Sequence, residues 1–303
     1  VSAVAFLFPG QGMEVPRMGL ELARGHGPAG DLLDLASRVT GQDARRLLRR
    51  GGGALGRTEV LQPLLTAVSL GALRALSARG VRPDLVAGHS LGELAAWAAA
   101  GGISHEDAVS LAATRGRLMA RQAALHPGGM AALRCGAEQV PAALERGRRR
   151  GALDLAAHNA PDEWVFSGDR PALRALAAAW PARPLQVSGP WHGRAMAGAA
   201  DELRRAAAEL AREQGAARLV CNDSGQEADP RQMPELLAGQ LVRPVLWAAS
   251  LATLVAAGVR DFVTLGPGRV LRGLARKNLG LSVRVHSTED AAGLDHTAKS
   301  VGP

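Results

Sequence analysis

Tyrosine is absent from this 303-residue sequence, lysine occurs only as Lys277 and Lys299, and cysteine only as Cys135 and Cys221. The two cysteines lie far apart with no His or Cys at ligand spacing, which excludes a disulfide framework and a zinc site; both read as small apolar residues. Aromatics make up 3% of the chain, and basic runs such as Arg148 to Arg150 are short and look like solvated helix ends. A net charge of +8 attracts acidic partners, whether nucleic acid, a nucleotide-bearing thioester such as coenzyme A, or an acidic carrier protein. Nucleic acid is the weakest of the three, and none is expected as a partner. No apolar stretch is read as reaching the roughly 18 residues of a membrane span, because Arg, Glu or Gly interrupts even the alanine-rich segments. "VSAVAFLFPGQG" has no basic flank and its apolar run stops at Pro9, unlike a signal peptide, so the cytoplasm is the expected location.

What is present is a foldable chain: 47% apolar and 21% charged residues leave no room for extended disorder. The length suits one large domain carrying a smaller insert, with two separate domains as the alternative. Apolar runs at Ala3 to Phe8 and at about Pro83 to Gly88 read as buried strands, and "FVTLGPG" as a third. Helical patterns separate them: "LQPLLTAVSLGALRALSARG", stopped by Gly80, and a segment capped by Ser104 that ends at Pro127. Strands alternating with helices predict an α/β fold with a mostly parallel sheet. From about Gly129 the texture becomes strand, helix, strand, strand, helix, strand, the pattern of a ferredoxin-like subdomain. A long amphipathic helix is expected from Gly193 to Gln214.

"VAGHSLGELAAWAAAGG" sets Ser90 between Gly88 and Gly92 where a strand gives way to a helix. A nucleophile elbow needs small residues at these two positions, because the backbones crowd there. A glycine-flanked turn with an idle serine has the same letters, but the strand before and the helix after match the required context. The elbow would lift the hydroxyl clear and aim the amides of the following helix, Leu91 first, at an oxyanion. Eight histidines compete as its base: His26, His89, His105, His126, His158, His192, His286 and His296. His89 is expected on the opposite side of the elbow from Ser90, His105 in a helix's first turn, and His126 before a helix-ending proline. His192 opens a helix and stands four residues before Met196 on its apolar face, so it should face inward, where the helix dipole keeps the imidazole neutral. These grounds alone fit a buried structural histidine equally well. Arg115 lies on the face of its helix that buries Ala108, Leu111, Ala112, Leu118 and Met119, whereas Arg117 and Arg121 lie off it. A buried guanidinium needs an anion, either a structural carboxylate or the free carboxylate of a substrate; helix periodicity does not choose.

Together the segments "FLFPGQG", "GHSLGE", "TRGRLM", "HNAPDEWVFSG", "WHGRAM", "GQLVRPVLW" and "GPGRVLRGL" resemble, in order and over almost the whole chain, the malonyl-CoA:acyl carrier protein transacylases and the acyltransferase domains of polyketide synthases. The resemblance implies an α/β-hydrolase-like catalytic domain over 1–127 and 193–290, an inserted ferredoxin-like subdomain over 128–192, and a C-terminal tail over 291–303. It implies ping-pong catalysis by Ser90 with His192 as base, and an oxyanion hole from the backbone amides of Gln11 and Leu91. A backbone carbonyl near Gln240 orients the histidine, Arg115 binds the carboxylate of malonyl, and Asn159 and Gln240 line the site. No cofactor is bound: acyl-CoA is the substrate and the acceptor is the phosphopantetheine thiol of an acyl carrier protein. The chain is then a monomer or part of a megasynthase. Several positions depart from the family. Met13 and Glu14 follow "GQG", Glu163 and Trp164 replace more usual neighbours, and "GPWH" places Trp191 where Phe or Ser usually precedes the histidine, which would reshape the acyl pocket. Leu91 after the serine favours malonyl over methylmalonyl by family habit.

Three other readings compete. An acyl hydrolase of the same fold would clear acyl groups from carrier proteins by letting water accept from Ser90; retained Arg115 argues against it. An unrelated esterase would use Asp261 and His286 in the chain order Ser, Asp, His. A docking module with a dead site would not need Ser90, His192 and Arg115 together.

Overall fold

The computed structural model describes residues 3–24, 27, 29–53, 55–210, 215 and 217–302. Among the described residues nine strands form two sheets: β1 (Ala3–Phe8), β2 (Leu85–Gly88), β3 (Gly129–Arg134), β4 (Leu153–Ala160), β5 (Glu163–Gly168), β6 (Arg183–Pro184), β7 (Arg218–Val220), β8 (Val259–Thr264) and β9 (Arg284–Ser287). The first sheet has the order β7-β2-β1-β8-β9 and every pairing in it is parallel. Its central strands, "AVAFLF" and "LVAG", are apolar throughout because helices cover both faces and leave no side for polar residues.

Helix Thr58–Ser77 departs from the expectation that no segment is apolar enough to span a membrane. Its best 18-residue window has a mean hydropathy of 1.4 and is 89% buried inside the fold. Gly71 does not break the run: a Cβ there would overlap Ala29, so glycine lets the neighbouring chain approach. The helix is the core of the large unit, flanked by helices Gly30–Thr40, Gly92–Ala99 and His105–Leu125. The expected tail is also helical. Ala291–Val301 is capped by Asp290, buries Leu294 and Thr297, and packs against Thr58–Ser77. The helix expected over 193–214 begins as a 3-10 turn, Arg194–Met196, and continues as Ala197–Ala208; residues 211–214 lie outside the described residues.

The second sheet, β4-β5-β3-β6, is antiparallel. With helices Val140–Arg148 and Arg170–Ala177 it has the strand-helix-strand-strand-helix-strand order of a ferredoxin-like unit. These helices cover one face over a small separate core that includes Leu133, Phe166 and Leu176. Met130, Ala157 and Val165 on the same sheet join the main core instead. His158 donates its amide to Val245 O and Val245 returns one to Ala156 O, both at 2.9 Å, which ties the sheet to the large unit beside Ser90.

Candidate active site

Ser90 follows β2 with a φ of +51°, in the left-handed region that non-glycine residues avoid. The crowding expected around it is present. A Cβ on Gly88 would overlap the backbone of Gly92, and one on Gly92 would overlap the Phe8 carbonyl. The strained turn is held by Asn222, whose Oδ1 accepts the Ser90 amide at 2.6 Å and whose Nδ2 donates to Gly88 O. No hydrogen bond among the described residues occupies the amides of Gln11 or Leu91.

His192 is also left-handed, with a φ of +57°, and is buried. Its Nδ1 donates to the carbonyl of Gln240 at 2.8 Å, which leaves Nε2 to accept from Ser90 Oγ at 2.6 Å. Burial above all, and then the Arg115 guanidinium, push its pKa down to about 3. The ring is therefore neutral for those reasons, and the 3-10 turn separates it from the α-helix whose dipole was expected to act.

Arg115 is 1% exposed. Its Nη1 donates to Gln62 Oε1 at 3.0 Å and its Nη2 to Gln240 Oε1 at 2.8 Å, with Ser90 Oγ 3.4 Å from Nη2. Nε has no partner, and both amide partners are neutral. Burial lowers its pKa to about 10, offset in part by the nearby charge of Glu93, so the group is cationic at neutral pH. Among the described residues no carboxylate forms an ion pair with it. Of the two anions open to it on sequence grounds, the structural one stands no nearer among the described residues than Glu93, which bonds to Gln240 and not to the guanidinium.

A cavity of about 380 Å³ lies between the two sheets, bordered by Gln11, Ser90, Arg115, Asn159, Trp191 and His192. Met13, Glu14 and Glu163, which depart from the family, border it too. Gln240 does not; it is fully buried behind Arg115 and Ser90, and acts through its carbonyl and carboxamide. Leu91 likewise sits behind the wall. His89 is not turned away, since it borders the same cavity and its Nε2 donates to Asn159 Oδ1 at 2.9 Å. Asp261 and His286 do pair, at 3.0 Å, but far from the serine. Asp261 stands beside Val4 in the parallel register, whereas Gly88 stands beside Phe8, which sets the pair toward the other end of the sheet. His26 lies outside the described residues.

Sequence reasoning missed Gln62, Glu93 and Asn222, all buried against the site. Glu93 Oε1 accepts the Asn222 amide at 2.6 Å and its Oε2 accepts Gln240 Nε2. Burial raises its pKa to about 8 against the pull of these donors and of Arg115. The one signal for it was an acidic residue inside the otherwise apolar helix "GELAAWAA".

A serine held on a neutral histidine, with unoccupied amides on either side and a cation at hand, can accept an acyl group and pass it on. This is the chemistry of an acyl-transfer enzyme. Residues 5–285 match a family described as acyl transferase domain, and the chain belongs to that family. A malonyl CoA-acyl carrier protein transacylase of Mycolicibacterium smegmatis is 39% identical over 287 residues, 88% of this chain and 96% of that protein. The crystal structure of a malonyl CoA-acyl carrier protein transacylase from Clostridium perfringens superposes with a TM-score of 0.90 at 30% identity, covering 98% of this chain and 96% of that one. A malonyl-transacylase solved in complex with its type II polyketide synthase acyl carrier protein also has a TM-score of 0.90, at 29% identity, covering 98% and 99%.

Proposed function

We propose that the chain moves a malonyl group from coenzyme A to the phosphopantetheine thiol of an acyl carrier protein by way of an ester on Ser90. The observation that carries this reading is Arg115, a buried cation that no carboxylate among the described residues contacts, 3.4 Å from the Ser90 hydroxyl. An uncharged acyl group would leave it unpaired in the filled site, whereas the free carboxylate of malonyl would satisfy it.

In the first half-reaction Ser90 Oγ attacks the thioester carbonyl while His192 Nε2 takes its proton. The developing oxyanion rests on the amides of Gln11 and Leu91. Collapse expels the coenzyme A thiolate, which takes the proton back from His192. The carrier thiol then gives its proton to His192, attacks the Ser90 ester, and leaves with the malonyl group as Ser90 recovers its proton. The Gln240 carbonyl keeps the imidazole in the tautomer that both halves need. Asn159 and Trp191 border the acyl end of the cavity. We infer further that the work is done in the cytoplasm, on a catalytic unit over 1–127 and 193–290 with the smaller sheet as the second wall.

Intact mass measurement tests the reading. Incubation with malonyl-CoA should add one malonyl group to Ser90, and a holo carrier protein should remove it and gain the same mass. Rapid loss of acyl groups from carriers to water, with poor malonyl loading, would establish the hydrolase instead.

A further inference from the structure

The role of Arg115 proposed above leaves open what holds a guanidinium in place when it has no ion pair. Its two arms run in opposite directions through uncharged groups. Along one, Arg115 donates to Gln62 Oε1, Gln62 Nε2 donates to Thr58 Oγ1 at 2.8 Å, and Thr58 donates to the side-chain oxygen of Gln11 at 2.8 Å. Along the other, Arg115 donates to Gln240 Oε1, and Gln240 Nε2 donates to the Ser90 carbonyl at 3.0 Å and to Glu93 Oε2.

A guanidinium has donors only and a carboxamide has one end of each kind, so Arg115 keeps Gln240 as a partner only while the amide's oxygen faces it. The opposite end must then meet acceptors in a space closed to water. Glu93 supplies one, and its other oxygen is already committed to the Asn222 amide. We propose that Glu93 is a positioning residue whose carboxylate fixes the orientation of the Gln240 carboxamide, and thereby presents Arg115 to the acyl carboxylate. This rests on the reading of Arg115 as the malonyl clamp.

Protonating Glu93, or replacing it with Gln, leaves one good acceptor for two donors, the Asn222 amide and Gln240 Nε2, so a donor comes to face one of them and the charge-assisted hold on Gln240 is lost. If the amide turns over to relieve that clash, it presents its NH2 to the guanidinium, so either arrangement weakens the arm. The charged and titratable groups facing Glu93 are Arg115, from helix His105–Leu125, and Asp223 and Cys221, beside Asn222 in the segment after β7. Since burial sets the carboxyl at about 8, the arm should strengthen on the alkaline side of neutrality.

The test compares loading of Ser90 from malonyl-CoA with loading from acetyl-CoA, which has no second carboxylate, as the ratio of the two kcat/KM values. In the unmodified protein this ratio should rise about tenfold between about pH 6.5 and about pH 9, the effect of one charge-assisted hydrogen bond. Glu93→Gln should hold it at the low-pH level throughout. Gln240→Met, which cuts the same arm while keeping Glu93 and the backbone carbonyl, should do likewise and serves if Glu93→Gln does not fold. A ratio that follows the unmodified protein at every pH in either variant overturns the proposal, because a merely structural role would lower both substrates together. Arg115→Ala separates the two levels of inference. If it leaves the ratio unchanged, the clamp itself is wrong; if it abolishes malonyl preference while the ratio in Glu93→Gln still follows the unmodified protein across pH, only the role of Glu93 falls.

Discussion

Gly92→Ala probes the oxyanion hole without touching a reacting side chain. The new Cβ would overlap the Phe8 carbonyl oxygen, standing 2.7 Å from its carbon and 2.9 Å from the Pro9 oxygen. Neither neighbour is a flexible side chain, so the start of helix Gly92–Ala99 and the end of β1 must part by on the order of 0.5–1 Å. The amides assigned to the oxyanion sit on opposite sides of this contact, Leu91 just before the glycine and Gln11 just after Pro9. Moving one relative to the other removes the fit of at least one donor, which is worth about a hundredfold or more in kcat. Arg115 comes from a different helix, so the KM for malonyl-CoA should change little. The assay is single-turnover acylation of Ser90 across malonyl-CoA concentrations, with a thermal melt beside it to show that the variant is folded. A folded Gly92→Ala protein acylating within about threefold of the unmodified rate would refute the assignment of the hole to these two amides.

The elbow was readable because its demand is local: two small residues two positions either side of a serine, between a strand and a helix, are visible in five letters. The faces of long helices were readable for a similar reason, and Arg115 showed itself by lying with Leu111 and Leu118 instead of with the exposed Arg117 and Arg121. His89 was misread because alternation along a strand does not carry through a turn whose next residue is left-handed. Gln62, Glu93 and Asn222 were unreadable for a different reason. Each belongs to a separate segment, and a Glu in a helix's first turn ordinarily means a solvated charge facing the dipole. Its meaning changes only when the fold brings Asn222 and Gln240 to it and removes the water. Helix Ala291–Val301 reads as a tail because nothing in its own sequence demands a partner; Leu294 and Thr297 matter only once Thr58–Ser77 offers a surface.

Arg115→Ala should lower kcat/KM for malonyl-CoA by about a hundredfold or more, the cost of leaving a buried carboxylate unpaired, and should lower acetyl-CoA far less; equal losses would contradict the clamp. Because burial and Arg115 hold His192 down to about 3, the ring stays neutral as the pH falls, and the rate of Ser90 acylation should show no acid limb near 6.5. A limb between about pH 6 and 7 that vanishes with His192→Ala would contradict that placement. Stability gives the sign for Glu93. Its folded pKa, about 8, is raised above the ordinary carboxyl value of 4.5. The native state therefore holds a proton that the unfolded chain has already released. This contribution is fully present below about pH 4.5 and is lost as the pH rises through about 8. At about pH 6.5 His89, His105, His158 and His192, whose pKa values are all lowered by burial, add a slope of the opposite sign, but they do so equally in the unmodified protein and in Glu93→Gln, so the difference between the two slopes isolates Glu93. One proton's difference makes unfolding easier by roughly 1 kcal/mol per pH unit. In denaturant titrations between about pH 6.5 and about pH 8 the stability of the unmodified protein should fall relative to that of Glu93→Gln, which has no proton to release. Parallel slopes would mean that Glu93 is already ionised in the folded protein at pH 6.5, and that Asn222, Gln240 and Arg115 outweigh its burial.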